Sequence, residues 1–186
     1  MKTTIGVMGS AGKELLGSAN SLLNTKAETL GRAIAACNLT LLTGATTGVV
    51  YLVGIAAHQA GALHVGISPA ANMQEHIERF ELPIDACDLL IYTGFGLKGR
   101  NVLLVRSCDI VLFIAGAMGS LNEFTIAHDE GKIIGCLTGT GGVADQVDYL
   151  LANFSKQTGA QVFQESDAEQ LIAGCLLAFT ERQKQL

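Results

Sequence analysis

Arg100 and Glu123 are the residue types in this chain best suited to carry chemistry. A guanidinium grips an anion through a rigid fork of N–H donors, and a carboxylate stabilises developing positive charge or orients a water. Each follows a run of small residues: Gly94-Phe95-Gly96-Leu97-Lys98-Gly99 before Arg100, and Ala115-Gly116-Ala117-Met118-Gly119-Ser120-Leu121-Asn122 before Glu123. A helix read from Arg100 to Arg106 would open on a cation, which the helix dipole opposes, so Arg100 either meets an external anion or is a plain surface arginine. Glu123 also has two readings, which can coexist. Ser120-Leu121-Asn122-Glu123 fits the S-x-x-E capping box, and the same position suits a carboxylate at the mouth of a phosphate pocket, near a bound ribose.

Phosphate itself needs backbone N–H groups at a helix start and a chain without bulky side chains. Four small-residue turns offer this: Gly9-Ser10-Ala11-Gly12, Thr43-Gly44-Ala45-Thr46-Thr47-Gly48, the turn from Gly94 to Gly99, and Gly116 to Ser120. The candidate binding residues are Gly9, Ser10, Gly44, Thr47, Gly48, Gly94, Gly96, Gly116, Met118, Gly119 and Ser120. The first turn does not match G-x-G-x-x-G, no acidic residue ends the second strand, and G-x-x-x-x-G-K-[ST] is absent. Those absences argue against a dinucleotide fingerprint and a P-loop.

These turns must be held by regular elements. Strands are expected at Thr4 to Met8, Leu39 to Thr43, Ala62 to Ile67, Asp88 to Thr93, Ile110 to Ile114 and Ile133 to Leu137, with an edge strand near Gln161-Val162-Phe163. After a polar stretch around Ser18 to Thr25, helices are expected at Lys26 to Ala36, Val49 to Gln59, Arg100 to Arg106, Ser120 toward Glu130, Val143 to Asn153 and Ala168 to Arg182, with a short exposed helix or lid at Gln74 to Arg79. This alternation predicts an α/β fold, a doubly wound and mostly parallel sheet with helices on both faces, spanning residues 1–186 as one domain. In such sheets ligands bind beyond the carboxyl ends of the strands, where all four turns fall. Cys87-Asp88 and Cys108-Asp109 each introduce an apolar strand.

Composition narrows the partners. Hydrophobic residues make up 49% and charged residues 16% of the chain, with a net charge of −5 and no block of Lys and Arg. Nucleic acid is therefore not an expected partner. The start at Met1 runs directly into a strand pattern without a signal peptide, and no apolar stretch approaches membrane-spanning length, so a cytoplasmic protein is expected. Five widely spaced cysteines beside apolar segments read as reduced core residues, and none has zinc-ligand spacing. His58 and His64 read as structural, His76 as a gate or a polar helix face, and His128 as lining the core or the cleft. The Val49 to Gln59 helix is apolar nearly all round, which requires another layer or a second subunit over it and points to a homodimer or homotetramer.

Ala115 to Glu123 occupies the frame P-G-G-x-G-T-x-x-E, and with Arg100 and the Thr43 to Gly48 turn the chain resembles the Lonely Guy (LOG) family, once misnamed lysine decarboxylases, over about residues 4 to 152. The resemblance implies cleavage of the N-glycosidic bond of nucleoside 5′-monophosphates, with Gly116, Gly119 and Ser120 on the phosphate and Arg100 and Glu123 as the catalytic pair. It implies no required cofactor or metal. Ala115, Ala117 and Ser120 depart from the family's Pro, Gly and Thr, and a Cβ at Ala117 is expected to reshape the loop. The opening Ile5-Gly6-Val7-Met8-Gly9 is similar to that of molybdenum cofactor carrier proteins of the same superfamily, which implies the molybdenum cofactor as an alternative bound ligand, without turnover.

Overall fold

The structure, a computed structural model, describes residues 2–12 and 21–185. The start of the polar stretch, Ser18 to Asn20, lies outside the described residues, as does Met1. Strands β1 (Thr4–Gly9), β2 (Thr40–Thr43), β3 (Leu63–Ser68), β4 (Leu89–Tyr92), β5 (Ile110–Ile114), β6 (Ile133–Leu137) and β7 (Gln161–Glu165) form one seven-stranded sheet in the order β4-β3-β2-β1-β5-β6-β7. Every pair is parallel. The chain winds outward from β1 to β4 and then returns to place β5 on the other side of β1. The reversal leaves a crevice at the carboxyl ends of β1 and β5.

Helices α1 (Ser21–Ala36), α2 (Gly48–Gln59) and α7 (Ala168–Gln183) cover one face of the sheet, while α4 (Gly96–Arg106), α5 (Met118–Asp129) and α6 (Val147–Phe154) cover the other. The unbroken apolar run of β5 follows from this: Ile110, Leu112 and Ile114 enter the first core, and Val111 and Phe113 enter the second. With both faces buried there is no polar face to alternate with. On this face α2 packs directly against α1. Gly31 lets the two backbones approach so closely that a Cβ there would meet Val53 O and Ala56.

Three expected elements change by more than two residues. Within the described residues α1 already covers Ser21 to Thr25, so that part of the polar stretch is helical. The segment expected as one helix from Val143 is a 3-10 turn, Gly142–Asp145, followed by α6. The Asp145 carboxylate accepts the Gly139 and Gly141 N–H groups at 2.8 and 2.7 Å, and Val143 N and Ala144 N donate to Gly116 O and Ala115 O. Those bonds commit the segment to bracing the β5–α5 turn. α4 begins at Gly96 instead of Arg100.

The two Cys-Asp pairs have one physical role. Asp109 accepts from Thr4 N and Oγ1 at 2.8 and 3.0 Å, and Asp88 accepts from His64 N at 2.8 Å. In return, Asp109 N donates to Thr4 O and Asp88 N to His64 O. Each aspartate therefore ties the entry of its strand to the neighbouring parallel strand. Cys108, Cys136 and Cys175 are core residues, whereas Cys37 is exposed and Cys87 only partly buried; all five are free thiols. Among the described residues, no helix is long and apolar enough to cross a membrane.

Candidate functional site

Phe113 on β5 and Phe124 on α5 meet edge to face, with centroids 5.5 Å apart. Such a contact contributes about 0.5–1.5 kcal/mol beyond the area it buries, and it helps fix the rotation of α5. The residue before Phe124, about 100° round the helix, is Glu123. It faces a pocket of about 250 Å³ at the crevice between β1 and β5. The walls come from Val7 to Ala11 at the end of β1, from Gly44, Thr46 and Val50 between β2 and the start of α2, from Leu97, Lys98, Arg100 and Asn101 on α4, and from Ala117, Gly119, Ser120 and Glu123 at the start of α5.

Arg100 lies in the second turn of α4 and does not open the helix, contrary to the expectation from sequence. Its side chain is buried and reaches Glu123 Oε1 through Nη1 at 3.4 Å, a long contact. The Nε group is buried and, among the described residues, has no hydrogen-bond partner. Gly44 provides the floor: a Cβ there would overlap the guanidinium. In the orientation that satisfies its neighbours, the Asn101 amide donates to Leu97 O and Glu123 Oε1, both at 3.0 Å.

Electrostatics mark this pair as undersatisfied. Burial pushes the Glu123 carboxyl up to about 7, against the opposite pull of Arg100 and Lys98. Burial also lowers the Arg100 guanidinium, against the pull of Glu123. Both shifts have the same leading cause, a desolvation cost that the long Arg100–Glu123 contact does not offset.

The capping box does not form. α5 starts at Met118 with Ala117 as its cap residue and no side-chain cap bond, so Ser120 is already the third helical residue and Glu123 the sixth. Ala117 is extended at φ −120, so its Cβ is unstrained. The meaningful departure is Ala115 at φ +52, which a proline ring, fixed near −65°, cannot adopt. Thr140 Oγ1 accepts the Ala115 N–H at 2.8 Å, and in the β2–α2 turn Thr43 Oγ1 does the same for Ala45, at φ +47.

Of the sequence candidates, Gly9, Ser10, Gly44, Arg100, Gly119, Ser120 and Glu123 line the pocket. The others do not. Gly116 N donates to Ser10 Oγ at 2.9 Å, so that amide is already committed. Thr47 donates to Ala11 O, and Gly48 packs where a Cβ would overlap Ser10 O, so both brace the β1 loop. Gly94 and Gly96 donate to Ala70 O and Pro69 O, and the Met118 side chain is exposed. The first-turn amides of α5 remain, with no acceptor inside their own helix.

His76 does not gate the pocket. It is fully buried on α3 (Met73–Glu78), held between Ser68 Oγ at 2.8 Å and Pro83 O at 3.1 Å. His64 is buried between Thr43 Oγ1 and Ala86 O, whereas His58 is exposed and pairs with Asp88 at 3.3 Å. His128 lines a separate apolar cleft with Phe124, Leu150 and Phe154. Sequence reasoning missed Lys98 and Asn101 as wall residues, because the segment from Gly96 to Gly99 reads as a turn and only the structure makes it the first turn of α4.

The model of the SLOG cluster4 family matches residues 2–172. An uncharacterised protein of Archaeoglobus fulgidus is 32% identical over 108 residues, which make up 58% of this chain and 66%, just under two thirds, of that relative. The structural-genomics target TM1055 shares the fold at a TM-score of 0.82, covering 95% of this chain and 99% of its own, at 24% identity. The molybdenum cofactor binding protein of the phototrophic bacterium Rippkaea orientalis is 28% identical with a TM-score of 0.75, covering 96% of this chain and 98% of its own. The molybdenum cofactor carrier protein MCP of Chlamydomonas reinhardtii is 26% identical with a TM-score of 0.70, covering 95% and 98%. The match over nearly all of β1 to α7, together with a crevice walled at the switch point of the sheet, places the chain in the SLOG cluster4 family, as a ligand-binding protein of the LOG-like Rossmann superfamily.

Proposed function

We propose that the pocket binds a small phosphorylated heterocycle, with the phosphate at the first turn of α5 beside Gly119 and Ser120 and the adjoining part of the ligand against Arg100 and Glu123. The observation that carries this reading is the buried, incompletely bonded Arg100 in the pocket wall. A desolvated cation with a spare N–H gains most from an anion that enters the same dry space. Among phosphorylated heterocycles the reading favours the pterin of the molybdenum cofactor, bound as cargo without turnover. Its support is the near full-length likeness to two proteins that bind that cofactor.

Glu123 favours a second reading, N-glycosidic hydrolysis of a nucleoside 5′-monophosphate. Loss of the base leaves positive charge on the ribose, and an ionised carboxylate in the pocket stabilises it or orients the attacking water. Since Glu123 ionises at about 7, base release would rise as pH increases through that value.

Calorimetry with the molybdenum cofactor under anaerobic conditions and chromatography of a nucleoside monophosphate panel separate the two. Saturable cofactor binding without base release supports the carrier. Base release abolished by Glu123→Gln supports the hydrolase, and neither binding nor release overturns both. In either case Arg100→Met is expected to weaken ligand affinity by about 2 kcal/mol or more, because it removes a buried charged hydrogen-bond donor.

A further inference from the structure

Lys98 is a cation in an environment built against cations. It stands in the first turn of α4, at the end of the helix where the dipole disfavours positive charge. Its ammonium lies over the start of α5 as well: a Cβ built on Gly119 would stand 3.6 Å from Lys98 Nζ. Two helix N-termini thus flank it. The side chain is exposed, and among the described residues no ion pair or hydrogen bond engages it. It nevertheless lines the pocket, in a chain whose net charge is −5.

A second, independent observation points to an anion in the same space. Arg100, more than nine-tenths buried in the pocket wall, leaves its Nε without a hydrogen-bond partner among the described residues. Among the described residues of the wall, Lys98 and Arg100 bring two positive charges and Glu123 the one carboxylate. The surplus is positive, and the helix starts add to it.

We propose that Lys98 is the specificity-determining residue of the phosphate subsite, selecting a doubly charged phosphomonoester over singly charged or uncharged groups. The assignment rests on the phosphate reading of the pocket. A terminal phosphate carries a charge between about −1.5 and −2 near neutral pH and presents three acceptor oxygens. The first-turn amides of α5 satisfy one side of such a group, and the three rotatable donors of a lysine ammonium satisfy another. A phosphodiester, with one charge and two ester substituents, gains the amides but little from Lys98. Gly119 contributes by having no side chain between the ammonium and the helix start.

The test follows the Gly119 and Ser120 amide resonances of the full chain by two-dimensional NMR during titration with inorganic phosphate at pH 7.5, with dimethyl phosphate as the singly charged control. The wild type is expected to show saturable shifts at both amides with phosphate, and binding of dimethyl phosphate at least tenfold weaker. Lys98→Met should weaken phosphate binding about tenfold and leave dimethyl phosphate unchanged, while Lys98→Arg retains most of the preference. Added NaCl should shrink the gap between wild type and Lys98→Met, because the contact is exposed. Phosphate binding to Lys98→Met as tightly as to the wild type, with Arg100→Met defective, would overturn the role of Lys98 and leave the phosphate reading standing. Absence of any shift at Gly119 and Ser120 in the wild type would overturn both.

Discussion

The two edges of the sheet treat carboxylates in opposite ways. At the amino edge, Asp109 accepts two hydrogen bonds from Thr4, and Asp88 accepts one from His64 and pairs with His58. Hydrogen bonding holds the Asp88 carboxyl below its ordinary range, with the His64 backbone as the leading cause. At the carboxyl edge, Glu123 is buried with a long contact to Arg100 and a hydrogen bond from the Asn101 amide, both on Oε1, and is pushed up to about 7. The aspartates stabilise the fold, whereas Glu123 and Arg100 cost stability in the free protein and gain partners when an anion arrives. The site is thus recognisable by what the fold leaves incomplete there.

The largest expected effect tests that cost directly. Glu123 binds its proton more tightly when folded than when unfolded, so between its ordinary value of 4.5 and about 7 the folded state holds more protons. Stability from this group is fully present below 4.5 and is lost as pH rises through about 7. A shift of that size corresponds to roughly 3 kcal/mol. Urea unfolding at a series of pH values between 4.5 and 8 should show the wild type losing stability relative to Glu123→Gln, whose own curve lacks this slope. Parallel curves for the two proteins would mean that Glu123 is not strained, and the contrast between the edges would collapse.

The amino edge should respond in the reverse sense. Asp109→Ala leaves the Thr4 N–H without its acceptor at the start of a central strand, while the Thr4 hydroxyl keeps Ser107 O. The expected loss is about 1–3 kcal/mol in unfolding free energy at pH 7. Phosphate affinity at Gly119 and Ser120 should stay unchanged, because Asp109 lies at the opposite end of β5 from the pocket. A variant that lost affinity in step with stability would show that the edges are coupled through the strands.

The sheet was legible from sequence because its signal is local: Ile110 to Ile114 is apolar without alternation, and small residues punctuate each strand end. The crevice was legible for the same reason. What failed needed tertiary contacts. Gly96-Leu97-Lys98-Gly99 reads as a turn by propensity, yet packing makes it the first turn of α4, and so Arg100 sits one turn inside. Ser120-Leu121-Asn122-Glu123 is a genuine S-x-x-E, but a helix that already starts at Met118 removes its meaning. Which glycines face the pocket, such as Gly44 and Gly119, and which only brace loops, such as Gly48 and Gly116, depends on segments distant in sequence.

Asp88 gives the smallest and most specific test, because it titrates with the opposite sign from Glu123. Its carboxyl is lowered in the folded state, so its contribution is present above the ordinary value of 3.8 and is lost as pH falls through the lower folded value. The side chain is about a third exposed, at 35%, so solvent screens much of the interaction. Asp88→Asn keeps an acceptor for the His64 N–H and loses only the charge, for an expected cost below about 1 kcal/mol at pH 6. The gap between wild type and Asp88→Asn should close under acid, below the window in which the gap between wild type and Glu123→Gln opens. Two carboxylates on one sheet would then move stability in opposite directions over separate pH ranges. A gap for Asp88→Asn that instead persisted to the most acid pH would assign its effect to packing, leaving charge as the business of the carboxyl edge alone.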